Sequence, residues 1–301
     1  MVAVESPDAN FKRYLPESLA ECTSEQYIAM SELIMMFQYC EISYQDMKVA
    51  AIYKLLNLKH VENKDSEIEL EKMSNVYLLS NYIDNFFDKN GEELILKQDY
   101  VHNPVPEQKV LLTKFYGPSD NFMNMTFGEY TDALRMIHDF RVTTDSKLLY
   151  ILAAIFYRPK KSFHFVKKHL PKYDNDIRVQ YNSHQIEKRA NKFKYAPIGF
   201  IYGFYLLFTS FQKYLVEAKI LWAGNEIDLS ILFQSSSDEP LTDLPSIGMD
   251  AIAFTMAESG TFGTLEQVKN TNFWEIIIRM YDLRRADLEK QKQYDAANKP
   301  N

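Results

Sequence analysis

The 301 residues carry 41 Asp and Glu against 34 Lys and Arg, a formal net charge of −7 at pH 7. The hydrophobic fraction of 46% is ordinary for a globular chain, and the length allows one large domain or two ordinary ones, with a sizeable core. Only 9 glycines and 11 prolines argue against a turn-rich β sandwich, and the two cysteines, Cys22 and Cys40, exclude a disulfide framework and a thiolate metal cage. Residues 1–14 contain Glu5, Asp8, Lys12 and Arg13 and no apolar run, so no signal peptide is read there and synthesis in the cytosol is expected.

In chain order, residues 1–22 look extended. Thr23 and Gln26 form a capping-box pattern, and a helix follows to about Cys40 with Tyr27, Met30, Ile34 and Phe37 on one face. Ser43 starts a second helix with Met47, Ala50, Ala51 and Leu55 inward. A third runs through Ile68, Met73, Val76, Leu79, Tyr82, Ile83 and Phe86 and ends at Asn90-Gly91. Residues 92–118 differ: EELILK and KVLLTKFYG flank HNPVP, and Pro104 and Pro106 forbid a helix between them. At most one small β-hairpin or an irregular arm is expected there.

Thr126 and Glu129 make a second capping box before a helix to about Val142. SKLLYILAAIFY is the next helix, capped by Thr144 or Asp145 and closed before Pro159. After a basic connector, Asn182 and Gln185 start a helix through Ile186, Ala190 and Phe193. Then comes the stretch the chain is organised around, residues 196–222. Phe200, Phe204, Leu207, Phe211, Leu215, Ala218 and Trp222 recur in steps of four or three, one apolar stripe on a helix. Gly199 and Gly203 open a notch for a second helix. Residues 195–212 are uncharged for 18 positions, the lower limit for a membrane span, but Thr209, Ser210, Gln212, the glycines and Pro197 weaken it. A buried core helix is expected. Residues 235–245 are a polar, acidic loop, and residues 246–258 an apolar helix stopped by Gly260. Thr264 and Gln267 cap a short helix. The last helix turns Phe273, Ile276, Ile277, Met280 and Leu283 inward, and beyond Arg284 it is polar and expected to fray into solvent. The expected fold is mainly α: an irregular multi-helix bundle around one buried central helix, read as a single helical domain over 1–301.

Catalytic signatures are missing. There is no Walker A lysine, no strand-borne GxGxxG, no GxSxG elbow and no HExxH among the six histidines. His164 and His169 are five apart, on different faces of a helix. Asp174-Asn175-Asp176 is a DxD-like triplet that could hold a divalent cation beside a phosphate, but it follows Pro171 in a polar connector and reads as a turn or cap. Gly260-Thr261-Phe262-Gly263 has the spacing of a KH-domain GXXG loop without the surrounding strands and reads as a turn. No catalytic residue, metal or cofactor is expected, and no enzymatic activity.

Charge is concentrated in one place. Residues 158–194 hold eleven Lys and Arg against three acids, a net +8, so the remainder carries −15. Arg158, Lys160, Lys161, Lys167, Lys168, Lys172, Lys188 and Arg189, interleaved with Phe163, Phe165 and Tyr173, are the candidate interaction residues. Such a mixture serves phosphate binding with stacking, an acidic protein partner or another copy of the chain, or a solvated face that balances acids elsewhere in the fold. Phe200, Gly203, Phe204, Leu207 and Phe211 are the candidate structural core.

Five stretches resemble a family of predicted tail-assembly or virion-morphogenesis proteins of tailed phages and prophages. They are LPESLAECTSEQYIAM (15–30), NMTFGEYTDA (124–133), LLYILAAIFYRPKK (148–161), HQIEKRANKFKYAPIGFIYGFYLLF (184–208) and ESGTFGTLEQVKNTNFWEII (258–277). Leu19 stands where that pattern has an aromatic, and Met125 where it has Leu. The resemblance implies a chaperone or structural part acting on phage tail or head–tail proteins. Its partners would be those proteins or itself. It would sit in the host cytoplasm or in the virion, with no membrane. Nucleic acid is the alternative partner, through residues 158–194.

Overall fold

The computed structural model describes residues 1–6, 11–58, 66–91, 93–164, 176–217, 219–222, 224–232 and 249–297, and they are mainly helical. A hairpin of β1 (Val2–Ser6) and β2 (Phe11–Leu15) leads into α1 (Ser24–Gln38). The Thr23 hydroxyl accepts from the Gln26 amide while the Gln26 side chain accepts from the Thr23 amide, the reciprocal cap that the spacing predicts. α2 (Tyr44–Leu55) starts at Ser43, whose hydroxyl accepts from the Asp46 amide, and α3 (Ser66–Ser80) packs on α2. Next come β3 (Phe87–Asn90), β4 (Glu93–Leu96), β5 (Glu107–Val110) and β6 (Thr113–Tyr116). α4 (Phe127–Thr143), α5 (Lys147–Phe156), the short β7 (Arg158–Pro159), α6 (Ile186–Phe193) and α7 (Ile198–Glu217) follow. β8 (Lys219–Trp222), β9 (Asn225–Asp228), α8 (Met249–Glu258), α9 (Leu265–Asn270) and α10 (Phe273–Ala297) complete the order.

Phe200, Phe204, Leu207, Phe211 and Leu215 of α7 are all buried. α1 lies along α7 more extensively than along any other helix, and α5 packs on it too. The notch decides the close approach. A Cβ built on Gly203 would sit 2.7 Å from Tyr27 Cε1 and 2.9 Å from Ser31 Oγ. The Tyr27 ring cannot step aside, because its hydroxyl donates to Gly203 O at 2.7 Å and meets the Tyr100 hydroxyl, also at 2.7 Å. Gly203→Ala should therefore lose stability despite alanine's better helix propensity of about 1 kcal/mol, and Gly203→Leu should lose more. Urea denaturation of the two variants checks the order. The polar residues that break the apolar run have partners across the core. Ser210 Oγ accepts from the Tyr100 amide at 3.2 Å, and Thr209 Oγ1 accepts from Gln98 Nε2 at 2.7 Å. Among the described residues no helix is long and apolar enough to cross a membrane. Lys213, by contrast, pairs with Asp99 at 2.7 Å where both side chains are about half exposed, so Lys213→Ala should change the melting temperature very little.

Three expectations are corrected. The central helix stops at Glu217, not Trp222. Residues 219–222 pair as β8 with β9, Ile220 opposite Ile227, across a turn in which Gly224 takes φ +81°. Glycine meets that left-handed backbone without a Cβ clash, and Ile and Trp suit a pleated strand. Trp222 thus continues the helical spacing while lying in a strand.

Second, there is not one hairpin but four small antiparallel sheets among the described residues. The two apolar runs of 92–118 do not pair with each other. β4 pairs with β3, so Gly91 (φ +64°) closes a hairpin instead of ending a helix. β5 pairs with β6, which also pairs with β7.

Third, the third helix does not continue to Asn90-Gly91, because α3 ends at Ser80. Val76, Ile83 and Phe86 are buried, but Ile68, Met73 and Tyr82 are exposed, and the segment 81–86 tightens to a 3-10 helix. Leu70, Met73 and Tyr77, spaced three and four apart, form an outward stripe with exposures of 67%, 59% and 56%. At the other end of the chain, α10 stays helical to Ala297.

Candidate functional site: a buried charge cluster beneath a polar cleft

The basic segment is folded partly inward. Arg158 follows α5, and the chain from Asp176 to Arg178 runs antiparallel to it: Lys161 N donates to Ile177 O at 2.8 Å and Val179 N to Pro159 O at 2.9 Å. This brings Arg158 and Arg178 to the N-terminus of α4, where Glu129 waits. Glu129 Oε2 accepts from the Thr126 amide at 2.8 Å, completing the cap of α4. Its Oε1 lies 3.0 Å from Arg158 Nη2 and 3.5 Å from Arg178 Nη1. One carboxylate thus caps a helix and neutralises two guanidinium groups, and all three side chains are fully buried.

Asp176 completes the pairing. Arg178 Nε donates to both of its oxygens at 3.0 and 3.1 Å, and Arg178 Nη2 to Oδ2 at 2.9 Å. The remaining Arg178 donors reach Phe156 O at 3.1 Å and Asn124 O at 2.7 Å, so this guanidinium is saturated. Arg189, from α6, donates through Nε to Ala154 O at 2.9 Å. Tyr181 lies under Arg158, whose guanidinium carbon is 5.9 Å from the ring centre, and its hydroxyl bonds Asp132. Burial, together with the charges of Arg178 and Arg189, brings the Arg158 pKa down to about 10 against the opposing pull of Glu129 and Asp176. Burial alone would raise the Asp176 carboxyl, but the Arg178 hydrogen bonds and charge outweigh it and hold the group below its ordinary value.

Above the cluster opens a polar cleft of about 480 Å³. Asn124, Lys161, Tyr181 and Asn272 line it with Arg158 and Arg178. The wall at Asn272 is held to the loop before α4. Asn272 Nδ2 donates to Met123 O at 2.7 Å, Phe127 N to Thr271 O and Phe273 N to Met125 O, both at 2.9 Å.

The candidate interaction residues are therefore not one surface. Arg158 and Arg189 are buried, a correction to their expected role as outward cations: Glu129, Asp176 and the Ala154 carbonyl draw them in. Lys160 and Lys188 are exposed, Lys161 is half-buried at the cleft, and Lys167, Lys168 and Lys172 lie outside the described residues. Asp176 of the DxD-like triplet turns to arginine, while Asp174 and Asn175 lie outside the described residues. Among the described residues no group of three or more His, Cys, Asp or Glu is placed to hold a metal ion.

The membership of Glu129, Arg178 and Tyr181 escapes sequence reasoning. Glu129 is legible as a cap, and nothing in the spacing tells that its second oxygen meets an arginine 29 positions on. The fold brings Glu129 and Arg158 together in the cluster and sets Asn272 in the wall of the cleft that Arg158 also lines. Compared with family models, with curated proteins and with solved structures, the chain matches none.

Proposed function

We propose that this chain is a non-enzymatic, protein-binding component of phage tail or virion assembly, an assembly chaperone or a structural connector, built as an irregular bundle of helices around α7. The five motif-like stretches support the phage assignment. The observation that carries protein binding is the outward stripe Leu70, Met73 and Tyr77 of α3, a helix whose Val76 and Ser80 are buried beside that stripe. Contiguous exposed apolar groups mark interaction surfaces. Exposed Glu67 and Glu71 run along one margin of that stripe. The occupant is a helix of another virion protein, with an apolar stripe and a basic margin to complement this acidic one.

The test is complementation of a phage lacking the gene. The double variant Leu70→Asp with Tyr77→Asp should fold like the wild type, since both side chains are exposed, with stability changed by about 0.5 kcal/mol or less. Particle yield should drop to that of the uncomplemented phage. Wild-type yield from the double variant would sink the proposal, as would a gene position inside a metabolic operon. Concentration-dependent dimers, abolished by the same variant in sedimentation, would make the occupant a second copy. Recovery of the chain in purified virions favours a connector over a chaperone.

The outward lysines, Lys160, Lys188 and Lys194, support nucleic acid as the second reading. Phosphate contacts would make DNA affinity fall steeply with salt. With three arginines withdrawn into the cluster, phosphate contacts would fall to the lysines, and absence of binding at low salt would end that reading.

A further inference from the structure

The hairpin of β5 and β6 ends in a turn that local chemistry would not choose. Val110 pairs with Thr113, so Leu111 and Leu112 alone make the connection. Two-residue hairpin turns favour Asn, Asp and Gly, because the backbone there enters the left-handed region. Leu111 takes that conformation, φ +53°, with a bulky side chain. Both leucines face solvent, Leu111 58% and Leu112 96% exposed. Just below them Lys109 and Lys114 stand directly opposite each other, both exposed, a pairing of like charges that weakens a hairpin. Glu107 offsets part of it, 2.6 Å from Lys114. β7 runs antiparallel to β6, so Lys160, the exposed residue after it, comes level with Lys114. Below the turn the hairpin is fixed. Val110 and Phe115 are buried, Phe115 lies 4.8 Å from Phe193 between ring centres, and Gly117 N donates to Pro106 O at 2.8 Å. A fixed base thus presents a strained apolar tip with a basic collar, and departures from local preference of this kind belong to contact sites.

We propose that this tip adsorbs to an anionic phospholipid surface, with Leu111 and Leu112 entering the interface and Lys109, Lys114 and Lys160 meeting the phosphates. The size of the tip favours lipid over protein. Two side chains cover far less than the roughly 800 Å² that each partner of a stable protein interface buries. A bilayer needs no matching pocket and admits a small apolar wedge. Leucine gains by leaving water at the acyl boundary, and each lysine near an anionic surface adds to the attraction. The chain as a whole is negative, −7, so the contact is weak and confined to this end. Contact with the surface needs no membrane-spanning helix, and the proposal does not rest on the assembly reading.

Flotation of the full chain with vesicles of equal parts phosphatidylglycerol and phosphatidylcholine tests this, with pure phosphatidylcholine vesicles as the reference. The wild type should float with the anionic vesicles, and less so as sodium chloride is raised. Leu111→Asn with Leu112→Gly installs the pair that such turns prefer. That variant should melt no lower than the wild type, while its partition to anionic vesicles falls about tenfold or more. Lys109→Gln with Lys114→Gln should reduce the preference for anionic over uncharged vesicles. No flotation of the wild type with anionic vesicles, or undiminished flotation of the leucine variant, overturns the proposal. Equal flotation with uncharged vesicles overturns it too, since charge would then select nothing. Loss of particle yield in the leucine variant, without vesicle binding by the wild type, would make the tip a protein contact instead.

Discussion

Glu129→Gln is expected to destabilise the fold by about 3–5 kcal/mol, the usual consequence of removing one member of a buried ion pair. The substitution isolates charge from capping. Glutamine serves the capping box as well as glutamate, so the bond to the Thr126 amide survives. What disappears is the negative charge 3.0 Å from Arg158 and 3.5 Å from Arg178, in a place water does not reach. Three guanidinium groups are then left with Asp176. Urea denaturation gives the magnitude, and a double-mutant cycle with Arg158→Met gives the coupling. The double variant should cost clearly less than the two single changes together, because removing both charges leaves less buried charge unpaired. Additive costs would mean that the two groups do not interact.

The same cluster sets an acid limit. The folded Asp176 pKa lies below its ordinary value, so the stability this carboxylate contributes is complete above about pH 4 and is lost as pH falls through the folded value. Asp176→Asn should therefore lower stability at neutral pH and flatten its fall on the acid side.

Phe204→Ala is expected to cost about 3–5 kcal/mol, the range for a buried aromatic whose neighbours cannot collapse into the space. The ring is 2% exposed and lies among other rings, 5.1 Å from Phe156, 5.2 Å from Tyr157 and 6.4 Å from Phe122 between centres. These rings come from α5, the residue after it and the loop before α4, so the cavity would open where several segments meet. Rigid aromatic groups refill such space poorly. A melting temperature unchanged by Phe204→Ala would contradict this packing directly.

What the sequence determined by itself is local. The three capping boxes, Thr23 with Gln26, Thr126 with Glu129 and Thr264 with Gln267, all form, because a helix cap spans four residues and needs no distant partner. The stripe of α7 is legible for a related reason: aromatic groups at helical spacing, nearly all round, have no stable place except among other apolar groups. The far end of that stripe is where local reasoning fails. Trp222 satisfies the helical period, yet Gly224 and the facing strand Asn225–Asp228 make residues 219–222 one arm of a hairpin. On α3, apolar groups lie on more than one side, so periodicity names no unique inner face. α3 packs on α2 with Val76 buried and Met73 left outside. The tertiary structure alone decided the fate of the basic segment. Composition shows cations in excess over residues 158–194, but whether an arginine faces water or the interior depends on a carboxylate brought to it from elsewhere. Glu129 and Asp176 do that for Arg158 and Arg178, since in a low-dielectric interior only paired charges are tolerated.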